Sequence, residues 1–194
     1  MTARPLEREF YRRDSGDVAV DLLNKLLVRG ERVGRIVEVE AYRGEADPGS
    51  HAYRGRTARN AIMFGPPGHL YVYFTYGMHF CANVVCGDEG EGTAVLLRGL
   101  TPEAGLDEMR LLRPRARTDA DLCRGPARLC YAFGIDRAFD GADLVTGDRD
   151  VLVCDDGTPP PDDPAITTRI GLSAGADLPW RYFVRGAVGI SRPR

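Results

Sequence analysis

The segment Leu70-Tyr71-Val72-Tyr73-Phe74-Thr75-Tyr76-Gly77-Met78-His79-Phe80-Cys81-Ala82-Asn83-Val84-Val85 constrains the fold more than any other. It is dense in aromatic and β-branched residues, which sit well on a pleated surface, and its single glycine, Gly77, falls where the chain can reverse. Two antiparallel strands result, with Tyr76 at or near the hairpin tip. An isolated hairpin is marginal in water, so further strands must join it. Val33–Tyr42 (VGRIVEVEAY) supplies one, and its period of two places Ile36, Glu38, Glu40 and Tyr42 on one face. Thr93–Leu100 supplies another, on which Arg98 shares a face with Leu96 and Ala94.

Helical signals lie between and beyond these strands. Asp17–Leu27 carries apolar residues at helical spacing, an Asp to cap its start and Gly30 to stop it. Thr101-Pro102-Glu103 opens a second helix that Pro114 closes, and Gly125-Pro126 opens a third that runs through Phe133 to Gly134. Asp150–Cys154 reads as a short strand and Thr158-Pro159-Pro160-Pro161 as a rigid turn, and two last strands are predicted near Thr168–Leu172 and Trp180–Val184. Residues 43–69, rich in Gly, Pro and Arg, form a long irregular segment, which in a compact domain is usually functional. Strands following strands with helices interspersed predict an α+β fold: one domain over residues 1–194, with a curved, mostly antiparallel sheet, surrounding helices and a protruding hairpin.

Composition narrows the class. With 43% apolar and 28% charged residues the chain is neither disordered nor collagen-like. No run approaches the roughly 18 apolar residues of a membrane span, and Met1–Arg8 has no apolar signal region, so a cytoplasmic protein without membrane partners is expected. Five cysteines in an odd set predict reduced thiols. They form no C-x-x-C, no H-E-x-x-H occurs, and His51, His69 and His79 are not paired at i, i+4, so neither metal nor cofactor is expected.

A net charge of −2 speaks at first against nucleic acid. The charge is uneven, however: residues 138–163 hold eight aspartates against Arg149 alone, a local −7 that leaves +5 on the remainder. Every basic residue except Lys25 is arginine, whose planar fork suits phosphate. Genomic base composition can also enrich arginine, so charge by itself decides nothing.

The carboxylates inside the first strand are the most informative feature, because a buried unpaired Glu is expensive and persists only with a partner or a task. Glu38 and Glu40 both qualify, and periodicity does not choose between them. Tyr42, His51, Tyr71, Tyr73, Tyr76 and Arg98 lie near them in sequence, a set suited to stacking a flat ring beside an activated water. Asn83 is disfavoured on a strand and points to a specific hydrogen-bonding duty.

The segments Glu38-Val39-Glu40-Ala41-Tyr42, Leu70 to Met78, Val95-Leu96-Leu97-Arg98, Gly125-Pro126-Ala127-Arg128-Leu129 and Tyr182-Phe183-Val184-Arg185-Gly186 resemble, in order, those of the alkyladenine (3-methyladenine) DNA glycosylase family. The resemblance runs from about Glu9 to Ser191. It implies base-excision repair: release of alkylated purines such as 3-methyladenine, and of hypoxanthine or ethenoadenine, from double-stranded DNA by a monomeric enzyme. It makes Glu40 the general base, with Arg98 holding the water. Tyr42 on one side and His51 with Tyr73 on the other would sandwich the extruded base, Tyr76 would intercalate in the gap, and Asn83 would clash with the amino group of guanine. Backbone near Arg169-Ile170-Gly171-Leu172 would form the last wall.

Strand cleavage after base loss usually needs an amine nucleophile. The only lysine, Lys25, is read within a leucine-rich helix, and residue 2 is Thr rather than Pro, so a monofunctional glycosylase without lyase activity is expected. The alternatives are a non-catalytic nucleic-acid-binding module of related fold and a hydrolase of small nucleosides.

Overall fold

The computed structural model describes residues 3–191. In chain order the elements are β1 (Arg4–Pro5), α1 (Arg8–Tyr11), α2 (Ser15–Leu22), β2 (Leu26–Arg29), β3 (Arg32–Arg43), β4 (Leu70–Thr75), β5 (His79–Cys86), β6 (Thr93–Ala104), α3 (Leu106–Leu112), α4 (Asp119–Leu122), α5 (Pro126–Phe133), β7 (Leu152–Asp155), β8 (Ala165–Thr167) and β9 (Arg181–Phe183). One antiparallel sheet runs in the order β1-β7-β2-β3-β6-β5-β4, with β9 also pairing β3 and β8 pairing β9. The α+β class, the curved antiparallel sheet and the hairpin of β4 and β5 agree with the sequence.

Three segments depart from it. The helix predicted over 17–27 ends at Leu22, because Leu23 turns extended and Asn24 adopts φ 70, after which Leu26–Arg29 becomes β2 between β3 and β7. Its cap is Asp14, which accepts from the Gly16 amide at 2.8 Å, rather than Asp17. Lys25 therefore lies outside any helix, with its Nζ 2.8 Å from Asp155 and 3.2 Å from the Thr158 carbonyl. Thr101-Pro102-Glu103 opens no helix: β6 continues to Ala104, Pro102 lying opposite Gly34, and α3 starts after Gly105. No strand forms over 168–172, where the Ile170 amide is turned towards a carboxylate instead of a ladder. Thr2 lies outside the described residues. The third predicted helix, between Gly125 and Gly134, is α5, closed by Gly134 in the left-handed conformation.

The pairing of β3 with β6 shifts register near the start of β3, between Val33 and Gly34, and again around Glu38, and the second place organises the molecule. Ile36 faces Leu100, Glu38 faces Gly99 and Val39 faces Leu97, so each strand carries one extra residue. In consequence Ile36 and Val39, three apart, both enter the main apolar cluster, as do Leu97 and Leu100. The alternation therefore changes phase: Ile36 does not share the face of Glu38, Glu40 and Tyr42. An intact pleat would have put Ile36 beside the carboxylates. Gly99 is needed here, since a Cβ would come within 2.5 Å of the Gly189 carbonyl oxygen and 3.1 Å of Glu38 Oε2.

Candidate active site

Across the sheet, one row of facing residues runs Tyr71, Asn83, Leu96, Glu40 and Arg181, on β4, β5, β6, β3 and β9 in turn. Residues paired in this way project to the same side. The row thus gathers a tyrosine, an amide, a carboxylate and a guanidinium, and the changed phase brings Glu38 and Arg98 alongside.

The two carboxylates are both fully buried but differently held. Glu38 is saturated: Oε1 accepts from Arg181 Nε at 2.7 Å, Ser191 Oγ at 2.7 Å and Arg98 Nε at 3.2 Å, while Oε2 accepts from the Ser191 amide at 2.6 Å. Glu40 has fewer donors. Its Oε1 takes the Ile170 amide at 2.8 Å and lies 3.3 Å from an Arg98 terminal nitrogen, and its Oε2 takes the Tyr42 hydroxyl at 3.0 Å. Burial raises the Glu40 pKa above the usual carboxylate value and Glu38 adds to the rise; Arg98, the Ile170 amide and the Tyr42 hydroxyl oppose it. A desolvated carboxylate with free lone pairs can take a proton from a water, whereas Glu38, enclosed by cations and donors, anchors Arg98.

Tyr42 is fixed from behind. The Arg169 guanidinium lies 4.6 Å from its ring centroid and 4.9 Å from that of Trp180. Arg169 in turn grips Asp47 through two contacts of 2.5 and 2.7 Å and donates to the Ala41 carbonyl at 3.0 Å, both side chains being fully buried. The pair ties the irregular segment after β3 to residues 168–175 and so sets the position of the Ile170 amide.

On the β4 side, His51 comes from the irregular segment, its Nδ1 3.0 Å from the Tyr71 hydroxyl and its ring 4.5 Å from that of Tyr73. Tyr71 and Tyr73 stack with centroids 5.5 Å apart. Burial and then the neighbouring Arg59 lower the His51 pKa, which keeps the imidazole neutral at physiological pH. Burial pushes the Tyr71 hydroxyl up to about 12 and the Tyr73 hydroxyl higher still, so both remain protonated. Asn83 is buried and donates from its amide nitrogen to the Tyr71 carbonyl at 3.2 Å, leaving its side-chain oxygen without a hydrogen-bond partner among the described residues.

Tyr76 stands apart. It occupies the tip between β4 and β5, is 81% exposed and adopts φ 51, followed by Gly77 at φ 66. A non-glycine residue in this region costs roughly 1–2 kcal/mol. The hairpin is braced by Phe74 against Phe80, with centroids 5.0 Å apart, and by the Tyr131 hydroxyl of α5, which donates to the Met78 carbonyl at 2.8 Å.

The structure thus joins Glu40, Arg98 and Tyr42 in direct contact, groups His51 with Tyr73, and sets Asn83 in the same sheet row as Glu40. It leaves Tyr76 exposed at the tip. Sequence reasoning missed Asp47, Arg181 and Ser191, and read residues 169–172 only as backbone; a charged residue in the apolar run Trp180–Val184 was the one signal available for Arg181. Among the described residues no group of three or more His, Cys, Asp or Glu could hold a metal ion, and no helix is long and apolar enough to cross a membrane.

Residues 9–188 match the family model described as methylpurine-DNA glycosylase. A protein of Burkholderia lata named "Putative 3-methyladenine DNA glycosylase" is 57% identical over 189 residues, covering 97% of this chain and 91% of its own length. Proteins of the same name from Streptomyces avermitilis and Carboxydothermus hydrogenoformans are 52% and 47% identical, over 93% and 96% of this chain and 87% and 98% of their own. With the matched region running from α1 through β9 and including Glu38, Glu40, Tyr42, His51, Tyr73, Asn83, Arg98 and Arg181, the chain belongs to the methylpurine-DNA glycosylase family.

Proposed function

We propose that this protein removes alkylated purines, 3-methyladenine above all, from duplex DNA by hydrolysing the N-glycosidic bond of an extruded nucleotide, and that hypoxanthine and ethenoadenine enter the same pocket. The single observation that carries the proposal is the state of Glu40: a desolvated carboxylate between Arg98, the Ile170 amide and Tyr42, on the sheet face that also carries the aromatic walls.

The flat base stacks on the free face of Tyr42, whose other face is covered by Arg169, with His51 and Tyr73 opposite. Stacking contributes about 1–3 kcal/mol per base and offsets the cost of extrusion. As the bond from the sugar C1′ to the purine nitrogen breaks, its electron pair leaves with the base, and a cationic alkylpurine departs neutral. The anionic Glu40 stabilises the positive charge developing on the sugar and takes a proton from the attacking water, whose oxygen bonds to C1′. Arg98 holds that water and is itself held by Glu38. Tyr76 fills the space left in the stack. Asn83 presents its free side-chain oxygen to the purine edge and meets the exocyclic amino group of guanine. Lys25, bound to Asp155 on β7, supplies no amine for strand cleavage, so the protein acts as a monofunctional glycosylase.

Incubation with alkylated and inosine-containing duplexes, with released base and strand breaks measured before and after alkali, tests this. Released base with breaks only after alkali is expected; no release from either duplex overturns it. A non-catalytic binding module would not need a desolvated carboxylate beside an arginine, and Glu40→Gln separates the two: retained binding with no release marks the hydrolase.

A further inference from the structure

A second cationic feature lies outside the site. Arg113, Arg115, Arg117 and Arg128 line an open cavity of about 320 Å³ beside α4 and the start of α5, with Asp121 as the only acid. Asp121 is 3.8 Å from both Arg124 and Arg128, too far for tight pairing, and Arg113 donates from Nη1 to the backbone carbonyls of Asp121 and Leu122. Arg115 and Arg117 are exposed and have no carboxylate or carbonyl partner among the described residues. By contrast, Arg8, Arg35 and Arg185 are each bound by an aspartate of the acidic stretch, at 2.7, 2.8 and 3.0 Å. The cavity therefore holds an uncompensated positive charge.

Its place gives the surplus a meaning. Arg128 and Tyr131 are one turn apart on the exposed face of α5, and the Tyr131 hydroxyl holds the Met78 carbonyl two residues beyond Tyr76. The cavity is thus coupled through one helical turn to the base of the exposed tip.

We propose that this arginine cavity binds backbone phosphates of the duplex strand that flanks the inserted hairpin, and so sets the register of the protein on DNA. The proposal rests on the glycosylase reading above and deepens it by naming a DNA contact remote from the chemistry. Planar guanidiniums at the rim suit bidentate contacts to phosphate oxygens.

The test compares wild type, Arg115→Glu/Arg117→Glu and Asp121→Asn. Both arginines are exposed and unpaired, so the double variant should keep the wild-type melting temperature. Each lost phosphate contact should flatten the dependence of log Kd on log salt by about 1. For an undamaged duplex, the double variant is expected to bind at least tenfold more weakly at low salt, with a slope shallower by about 2. Asp121→Asn, which removes the one acid of the cavity lining, is expected to bind more tightly with a steeper slope. Single-turnover base release at saturating enzyme should match wild type in both. An unchanged slope and Kd within twofold in both variants overturn the cavity while leaving the glycosylase reading intact if base is still released. If inorganic phosphate raises the melting temperature of wild type but not of the double variant, while duplex affinity is the same in both, the cavity takes free anions and the proposal fails. No binding of wild type to duplex overturns the cavity and the reading together.

Discussion

The Tyr42 hydroxyl donates to Glu40 Oε2 at 3.0 Å, so the residue proposed to stack the base also holds the carboxylate proposed to activate water. Removing that donor should leave the ring and change the acid. The hydroxyl lowers the Glu40 pKa, partly offsetting the rise caused by burial. In Tyr42→Phe the carboxylate should therefore titrate at still higher pH, and because only the anion works, the acid limb of the kcat profile should move to higher pH. On the alkaline plateau the rate should return towards wild type. A limb that stays in place would remove Glu40 as the group whose titration controls turnover.

Glu40 and Glu38 should separate in stability as well as in activity. The raised Glu40 pKa means that the folded state binds its proton more readily than the unfolded chain does. Between the two pKa values the folded state then holds more protons, so ionised Glu40 destabilises the protein as pH rises. Glu40→Gln should release no base yet melt at or above the wild-type temperature at pH 7. Glu38→Gln, which leaves Arg181 and Arg98 short of their counter-charge, should lose about 3–5 kcal/mol, the usual result of breaking a buried pair. Scanning calorimetry of both variants reads the difference.

The Asp47–Arg169 pair should matter for geometry rather than for binding energy. Asp47→Asn leaves a buried cation unpaired and should lower the melting temperature on the order of 10 °C. Replacing both residues, as Asp47→Leu/Arg169→Met, should recover much of that loss, since well-packed apolar side chains often substitute for a buried pair. Turnover should not recover, because the Ile170 amide is no longer held against Glu40. A double variant with wild-type kcat would show that the amide needs no such support.

Tyr76→Ala should act on duplex DNA alone. The side chain is 81% exposed, so the melting temperature should not fall. Base release from a paired lesion should slow by one to two orders of magnitude, consistent with a few kcal/mol for unstacking, whereas release from a single-stranded oligonucleotide should change little. Measuring both substrates with the same preparation provides the control.

Much of this was legible from residue patterns. The hairpin and α5 follow from Gly77, Gly125 and Gly134, whose backbone requirements are local, and both agree with the fold. Local pattern failed where tertiary pairing decided. The leucines after Asn24 have helical spacing but are drawn into β2 by neighbours on either side, and Pro102 sits in a strand because β3 offers it Gly34. The site was legible in its types, a carboxylate, an arginine and rings, but not in its division of labour. Glu38 and Glu40 are alike by periodicity; what distinguishes them is the set of distant donors, Arg181 and Ser191 for one and Ile170 for the other, brought in by the end of the chain. The change of phase at Val37 was invisible because a period of two carries no mark of an extra residue.

That extra residue governs which changes of length the protein can tolerate. Because β3 and β6 each carry one around Glu38, the two cancel there and the pairing from Val39 with Leu97 to Arg43 with Thr93 runs in register. One residue added to or removed from either strand alone would turn Glu40 and Tyr42, or Arg98, away together and expose apolar partners in their place. Related genes can therefore lengthen or shorten the loop between β5 and β6 or the irregular segment after β3, but a surviving insertion within β3 would need a matching one in β6.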